Sequence, residues 1–341
     1  MRLGYVMSSD LLARQYNRDM PNAVAKTLMP NARRRRCRLA AAFCVMLIIG
    51  VLSLELFCRF YLGLGDPPLS IADAEIEYLF SPNQTCRRFG NLVHYNGYSM
   101  RSDDFGANKA DPNEYRVMVF GDSVVNGGAL TDQSRLATTL LQKDLSARLN
   151  RPVVVGNISA GSWGPPNMLA YAKRYGFFEA DAVVIVLSAH DYADIPTFAP
   201  IVGVNPDFPS YRPWCATWEA LTRYLPRYLG RRTTPDLAIA TKPSQESIAA
   251  CDTAISELIE RAQVAGAQVA VLQHLNQEEI AGGVEPGHEH IRSLVASMNV
   301  ARSDVETPNT NVLGDYRDTI HLNDKGQLRL EKAMFNAMKV E

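Results

Sequence analysis

The 341 residues include only six cysteines, and none stands in a CxxC pair or beside histidines at zinc-ligand spacing. A disulfide scaffold is therefore excluded, and nothing points to structural zinc. Cys86, Cys215 and Cys251, the three beyond the apolar run described below, leave room for one disulfide at most. Repeats and low-complexity tracts are also absent. With 47% hydrophobic and 21% charged residues, collagen and intrinsic disorder are ruled out. Only one apolar stretch is long enough to span a bilayer, so a polytopic membrane protein is excluded. An excess of one charge is missing too, because the formal net charge is −1.

That last absence is an average over two unlike regions. Residues 1–38 hold nine Lys/Arg and two Asp/Glu, net +7, whereas residues 39–341 hold 26 and 34, net −8. A basic tail is joined to an acidic body. Between them, LAAAFCVMLIIGVLSL begins at Leu39 and the run continues past Glu55 to Cys58, about 20 residues at ~1.5 Å each, enough to cross the hydrocarbon. Glu55 lies near one end, with Arg59 four residues on to pair with it.

The run exceeds the usual length of a signal-peptide core and no small-x-small cleavage site precedes Gly65, so residues 39–58 are expected to form an uncleaved anchor. Arg33-Arg34-Arg35-Arg36-Cys37-Arg38 alone could be a nuclear localisation or nucleic-acid patch. Beside an apolar 20-mer it reads as an orientation signal that keeps residues 1–38 in the cytoplasm and exports the body. Met29 directly before this cluster makes a natural start, which would make residues 1–28 an extension. The acidic body makes nucleic acid an unsuitable partner. Protein partners are not specified by the sequence.

Residues 59–114 lack a strong period, carry turn signals and read as a stalk and lead-in. From Tyr115 short β-branched runs alternate with helical ones, which predicts βαβ units, a mainly parallel sheet and a three-layer α/β/α domain over 115–341. Strands are expected at 115–120, 153–156, 182–187, 268–272 and, more weakly, 310–313. Helices are expected at 134–148, 166–177, 245–265, 288–299 and from 324 onward. Residues 192–243, rich in proline and aromatics, interrupt the alternation as an insertion, either a lid or a packed surface excursion.

Reactive groups in such sheets gather at the carboxyl ends of strands. Those ends carry Gly121-Asp122-Ser123, then Asn157 through Gly161-Ser162-Trp163, then His190-Asp191. Before the last helix stands Asp318-Thr319-Ile320-His321. Together these supply a nucleophile, a base, a residue to orient the base and oxyanion donors, the parts of acyl transfer at serine. Each has a plainer reading. Asp122 and Ser123 could merely cap a turn, and Asp318 with His321 could be a surface pair. His190 could be a satisfied core histidine, and Trp163 core packing or a sugar platform. His94, His274, His288 and His290 lack partners at recognisable spacing.

Gly-Asp-Ser after the first strand, a late Asp-x-x-His, and the run Asn96-Gly97-Tyr98-Ser99-Met100-Arg101 resemble the SGNH (GDSL-like) hydrolase superfamily, in particular its membrane-anchored bacterial members. The likeness covers about residues 115–335 and the lead-in. It implies a flavodoxin-like fold, with Ser123 as nucleophile and His321 and Asp318 completing a triad. It implies an oxyanion hole of the N–H groups of Ser123 and Gly161 or Ser162 with the His190 side chain, which stands where the family has asparagine. Asp122, Asn157 and Asp191 would support these groups. No cofactor or metal is implied. The resemblance further implies a bacterial inner-membrane protein with a periplasmic catalytic domain that hydrolyses an ester, foremost an O-acetyl group on a surface carbohydrate. An O-acetyltransferase using the same triad, or a non-catalytic glycan-binding assembly subunit, are the alternatives.

Overall fold

A computed structural model describes residues 22–229, 243–308 and 310–338. The chain divides into two compact units, Met1–Leu56 and Phe57–Glu341. In the first, one helix, Asn22–Leu56, carries the apolar run. Within the helix Arg33–Tyr61 the most apolar 18 residues have a mean hydropathy of 2.5, so it is long and apolar enough to cross a membrane. Residues 1–21 of the expected basic tail lie outside the described residues.

In the second unit, the segment expected as a stalk is folded onto the body. It forms two antiparallel hairpins, Ser70–Asp73 (β1) with Glu77–Phe80 (β2), and Gln84–Arg88 (β3) with Asn91–Tyr95 (β4). Strands of four or five residues, one of them reading QTCRR, are too short and polar to print a period of two. Tyr78 within β2 and its neighbours Ile76 and Met100 are nevertheless buried in the main core.

The five-stranded sheet comprises Tyr115–Gly121 (β5), Val153–Ser159 (β6), Ala182–Ser188 (β7), Gln268–His274 (β8) and Ala301–Asp304 (β9). All pairings are parallel and the order is β6-β5-β7-β8-β9. β5 and β7 are buried along their whole length, as continuous apolar strands must be when helices cover both faces. Side chains alternate between two cores. Met118, Phe120, Val183 and Ile185 meet the helices Pro165–Tyr175, Gln245–Val264 and Pro286–Ala296. Val117, Val119, Val184 and Val186 meet Ala137–Leu149 and Asp324–Ala337.

The fifth strand corrects the expectation at 310–313. There the chain makes only a short 3-10 turn, Leu313–Asp315, and Val312 is buried from a loop. The actual edge strand, β9, reads ARSD and is half-buried, so it needs no apolar run and left no signal. In sheet order, the strands follow the doubly wound 2-1-3-4-5 pattern, whose topological switch lies between the first and third strands, here β5 and β7. Ser123 follows the first and His190 the third.

The insertion 192–243 begins as a packed excursion. Ile201, Val202 and Phe208 join the main core, Pro209 accepts the Ser70 N–H at 2.8 Å, and Glu77 accepts the N–H groups of Thr197 and Phe198. A helical stretch follows over 216–228, made of Ala216–Glu219, a π turn at Ala220–Tyr224 and Leu225–Tyr228. Residues 230–242 lie outside the described residues, as does residue 309.

Candidate active site

The site begins with a sharp exit from β5. At Gly121 a Cβ would stand 2.4 Å from Val125, so only glycine lets the strand turn directly into the short helix Ser123–Asn126. Asp122 caps that helix, its Oδ1 accepting the Val124 N–H at 2.8 Å. The helix ends at Gly127, whose φ of 72° is the left-handed conformation that glycine adopts without penalty. The half-buried Ser123 therefore sits at the first helical position, at the carboxyl edge of the sheet.

Two buried side chains not singled out as site residues, Arg101 and Gln327, hold this elbow. Arg101, fully buried, donates from Nη1 to the carbonyls of Asn126 (2.6 Å) and Gly128 and from Nη2 to Thr131 (2.6 Å). Asn96 delivers it: the Asn96 side chain accepts the N–H groups of Tyr98 and Met100, and Ser99 takes a left-handed φ of 63°. Gln327 donates to the Val124 carbonyl at 3.0 Å. Arg317 adds bonds to the Gly127 carbonyl (2.9 Å) and Thr131 Oγ1 (3.2 Å). Asn157, buried, donates to the Val125 carbonyl at 3.0 Å and to Thr138, so it braces the elbow from β6.

The loop before the last helix brings Asp318 and His321 to Ser123. His321 Nε2 lies 2.9 Å from Ser123 Oγ, and its Nδ1 lies 2.9 and 3.0 Å from the two Asp318 oxygens. With Nδ1–H donating to the carboxylate, Nε2 is left as acceptor for the serine proton. Burial would raise the Asp318 carboxyl, but the N–H groups of His321 and Ile320, and then the imidazole, outweigh it and hold the acid below its usual range. Asn323 caps the following helix through Lys325 and Gly326.

His274 and Glu306, 32 residues apart, support that loop. Both are buried; His274 Nδ1 contacts Glu306 at 2.9 Å and its Nε2 contacts the Ile320 carbonyl at 2.8 Å, next to His321. A doubly protonated ring can donate to both. Burial opposes that charge, yet the Glu306 carboxylate and the Ile320 carbonyl hold the imidazole above its ordinary value. Parallel pairing of β8 with β9 creates the contact, since Gln273 is in register with Asp304. No local spacing could reveal it. The other histidines lacking recognisable spacing also have partners: His94 with Thr85, His288 with Glu279 and His290 with Asp252.

The second and third blocks follow β6 and β7, the strands on either side of β5. Tyr78 donates to the Gly161 carbonyl, which fixes the peptide plane and hence the direction of the Ser162 N–H. Ser162 has φ 60°, a left-handed strain that glycine would not feel. Among the described residues, the N–H groups of Ser123, Gly161 and Ser162 have no acceptor within the chain. Trp163 is buried, donates to the Tyr78 carbonyl and packs against Tyr171, so it is core packing rather than a sugar platform.

His190 follows β7 on a 3-10 turn, and its side chain is 42% exposed over two buried carboxylates. Its Nε2 lies 3.3 Å from Asp122 Oδ2 and 4.0 Å from Asp191 Oδ1. Burial works against its charge, but Asp191 and then Asp122 outweigh it and push the imidazole up to about 10. Burial pushes Asp191 up, whereas contact with His190 brings Asp122 down. Asp191 Oδ2 also accepts the Ser188 N–H at 2.7 Å. Asp122, His190 and Asp191 are the one group among the described residues with metal-compatible spacing, their ligand atoms lying within 4.8 Å of one another. A cleft of about 270 Å³ opens beside them, lined by Ser188, His190, Tyr192, Glu279, Pro286 and Ile320.

The sequence matches no family model and no curated protein. Among solved structures it is similar to TesA at 17% identity and a TM-score of 0.43, covering 66% of this chain and 98% of that one. It is similar to a lipase/acylhydrolase from Enterococcus faecalis at 14% and 0.40, covering 65% and 94%. An acetyl xylan esterase from Geobacillus stearothermophilus follows at 13% and 0.39, covering 67% and 96%.

Proposed function

We propose that the protein is a membrane-anchored serine hydrolase that cleaves an ester through an acyl-enzyme. The observation that carries this reading is the row Ser123 Oγ, His321 Nε2, His321 Nδ1 and Asp318, with 2.9 Å at each end. Ser123 Oγ attacks the ester carbonyl carbon as His321 Nε2 takes its proton. Asp318 holds the tautomer and stabilises the imidazolium that forms. The tetrahedral intermediate collapses when the leaving alkoxide takes that proton, which leaves Ser123 acylated. Water, deprotonated by His321, then attacks the acyl carbon, and collapse of this second tetrahedral intermediate breaks the bond to Ser123 Oγ, returns the proton from His321 to that oxygen and releases the acid.

The oxyanion would lie against the N–H groups of Ser123 and of Gly161 or Ser162, all unpaired within the described chain. His190 supplies the third donor. With Nε2 against Asp122 and a second proton retained to about pH 10, its Nδ1–H stays available across the neutral range. A charged donor also stabilises an oxyanion more than a neutral one.

The apolar helix anchors the protein in a bacterial inner membrane, and the arginine cluster before it keeps the N-terminus cytoplasmic with the body in the periplasm. The resemblance of the Asn96–Arg101 lead-in to membrane-anchored SGNH members supports an O-acetyl group on a surface carbohydrate as the ester. The test is acetate release by the full chain in detergent from p-nitrophenyl acetate and from an acetylated polysaccharide, with Ser123→Ala as control. Serine-dependent release upholds the hydrolase. Acetate appearing only on an added acceptor glycan would make it a transferase, and glycan binding without turnover would make it a binding subunit.

A further inference from the structure

The helical stretch 216–228 has two faces. Inward, Ala216 packs with Cys58 and Leu64, and Glu219 is buried, accepting Arg88 Nη1 at 3.1 Å and the Gly65 N–H at 2.6 Å. Tyr224 meets Arg88 at 2.9 Å and packs edge-on against Phe89. Outward, Trp214, Trp218, Leu221, Leu225 and Leu229 are all exposed, the first at 79%. The spacings of three, four and four residues put Trp218, Leu221, Leu225 and Leu229 on one helical face, and Trp214, just before the helix, sets its ring 6.3 Å from that of Trp218. Tyr211, just before, is exposed as well.

An apolar stripe of this size open to water is costly, so something covers it. Two observations identify the cover. The inner face is fixed to residues 58–65, where the chain leaves the apolar run, and Phe60 and Tyr61 there are also exposed. The stripe is thus built onto the neck of the body. By sequence the charge is also reversed locally: residues 211–232 contain five arginines and one glutamate, net +4, within a body of net −8, and of these Arg212 pairs with Asp66 and Arg223 with Asp207 and Glu219. Tryptophans and leucines interleaved with arginines are the composition of a helix that lies in the membrane–water boundary.

We infer that residues 214–229 form an interfacial helix that seats the body on the lipid surface, with Trp214, Trp218, Leu221 and Leu225 at the acyl–headgroup boundary. The inference rests on the reading of residues 39–58 as a membrane anchor. It adds that the body is held against the bilayer, and so faces ester substrates carried on or near lipid.

Tryptophan emission tests it, since Trp163 is buried in the core and serves as an internal reference. The full chain is reconstituted in phosphatidylethanolamine–phosphatidylglycerol vesicles with and without acyl-chain-brominated lipid. The same is done for Trp214→Phe/Trp218→Phe and for Leu221→Glu/Leu225→Glu, and each preparation is washed with alkaline carbonate. Seated at the depth of an interfacial helix, Trp214 and Trp218 should lose about half of their emission to bromine. The Phe variant should show almost no quenching, and the Glu variant much less than the native chain with an unchanged melting point. Native emission unaffected by bromine in a carbonate-resistant chain would overturn the inference and leave the anchor standing. Quenching before the wash in a chain that carbonate then removes would leave the helix as a peripheral lipid contact and overturn the anchor together with the inference that rests on it. Neither quenching nor resistance would overturn both.

Discussion

Two histidine–carboxylate sets flank Ser123, and they differ in where the carboxylates lie. At His321, one half-exposed carboxylate sits on Nδ1 while Nε2 faces the serine. At His190, two buried carboxylates sit toward Nε2, and the ring is driven to a cation up to about pH 10. On the proposed mechanism the same side chain serves as a proton shuttle in one setting and as a fixed charged donor in the other. What decides is the setting of each acid: the solvated Asp318 orients the imidazole, whereas burial pushes Asp191 up and leaves Asp122, brought down against its own burial by His190, as the acid that the imidazolium compensates.

The largest test of this contrast is His321→Ala. Loss of the base should lower ester turnover by about 10⁴ or more, as removal of a triad member does elsewhere. Turnover within tenfold of native would break the assignment of the shuttle to His321.

His190→Ala should cost about 10²–10³ in kcat, the usual loss for one oxyanion donor. His190→Asn sharpens the point, because a neutral amide donates at any pH. The native rate should fall as pH rises through about 10, where His190 gives up its proton; in the Asn variant that limb should vanish. A native profile unchanged by His190→Asn above pH 9 would remove the charged-donor role.

A third histidine extends the comparison into the core. His274→Leu leaves the buried Glu306 carboxylate uncompensated and should destabilise the fold by about 3–5 kcal/mol, read from denaturant unfolding. Adding Glu306→Leu should restore most of that loss. The sign with pH is fixed as well. The folded value of His274 is raised above 6.5, so its contribution is fully present below 6.5 and declines as pH rises through the folded value. Stability that increases with pH in that range, and does so only with His274 present, would contradict the ion pair.

The smallest effect is expected at Ser162→Gly, which relieves a left-handed residue and should stabilise by about 1 kcal/mol with turnover little changed. A loss of turnover instead would assign the Ser162 side chain a part in the chemistry.

How much of this was legible in the sequence follows from the range of each signal. The sequence marks Ser123, Asp318 and His321 as candidates because strand ends and a three-residue spacing are local features, and four of the five strands are long enough to show. β9 is not, since an edge strand of Ala-Arg-Ser-Asp has only one buried partner to satisfy. The hairpins in 59–114 were missed for the same reason of length. His274 with Glu306, and Arg101 with the carbonyls of 126–131, were out of reach because parallel pairing and chain reversal bring them together across 25 to 32 residues. His190 was legible as a position but not as a charge, which depends on two acids it meets only in the folded chain.

The central claim is that Ser123 is a nucleophile activated by His321, and covalent labelling tests it most directly. The full chain is exposed to a fluorophosphonate at neutral pH and the adduct located by mass spectrometry. One phosphonyl group on Ser123, formed far more slowly in His321→Ala, is the expected result. A folded chain that stays unlabelled at Ser123, or labels equally fast without His321, would contradict the account.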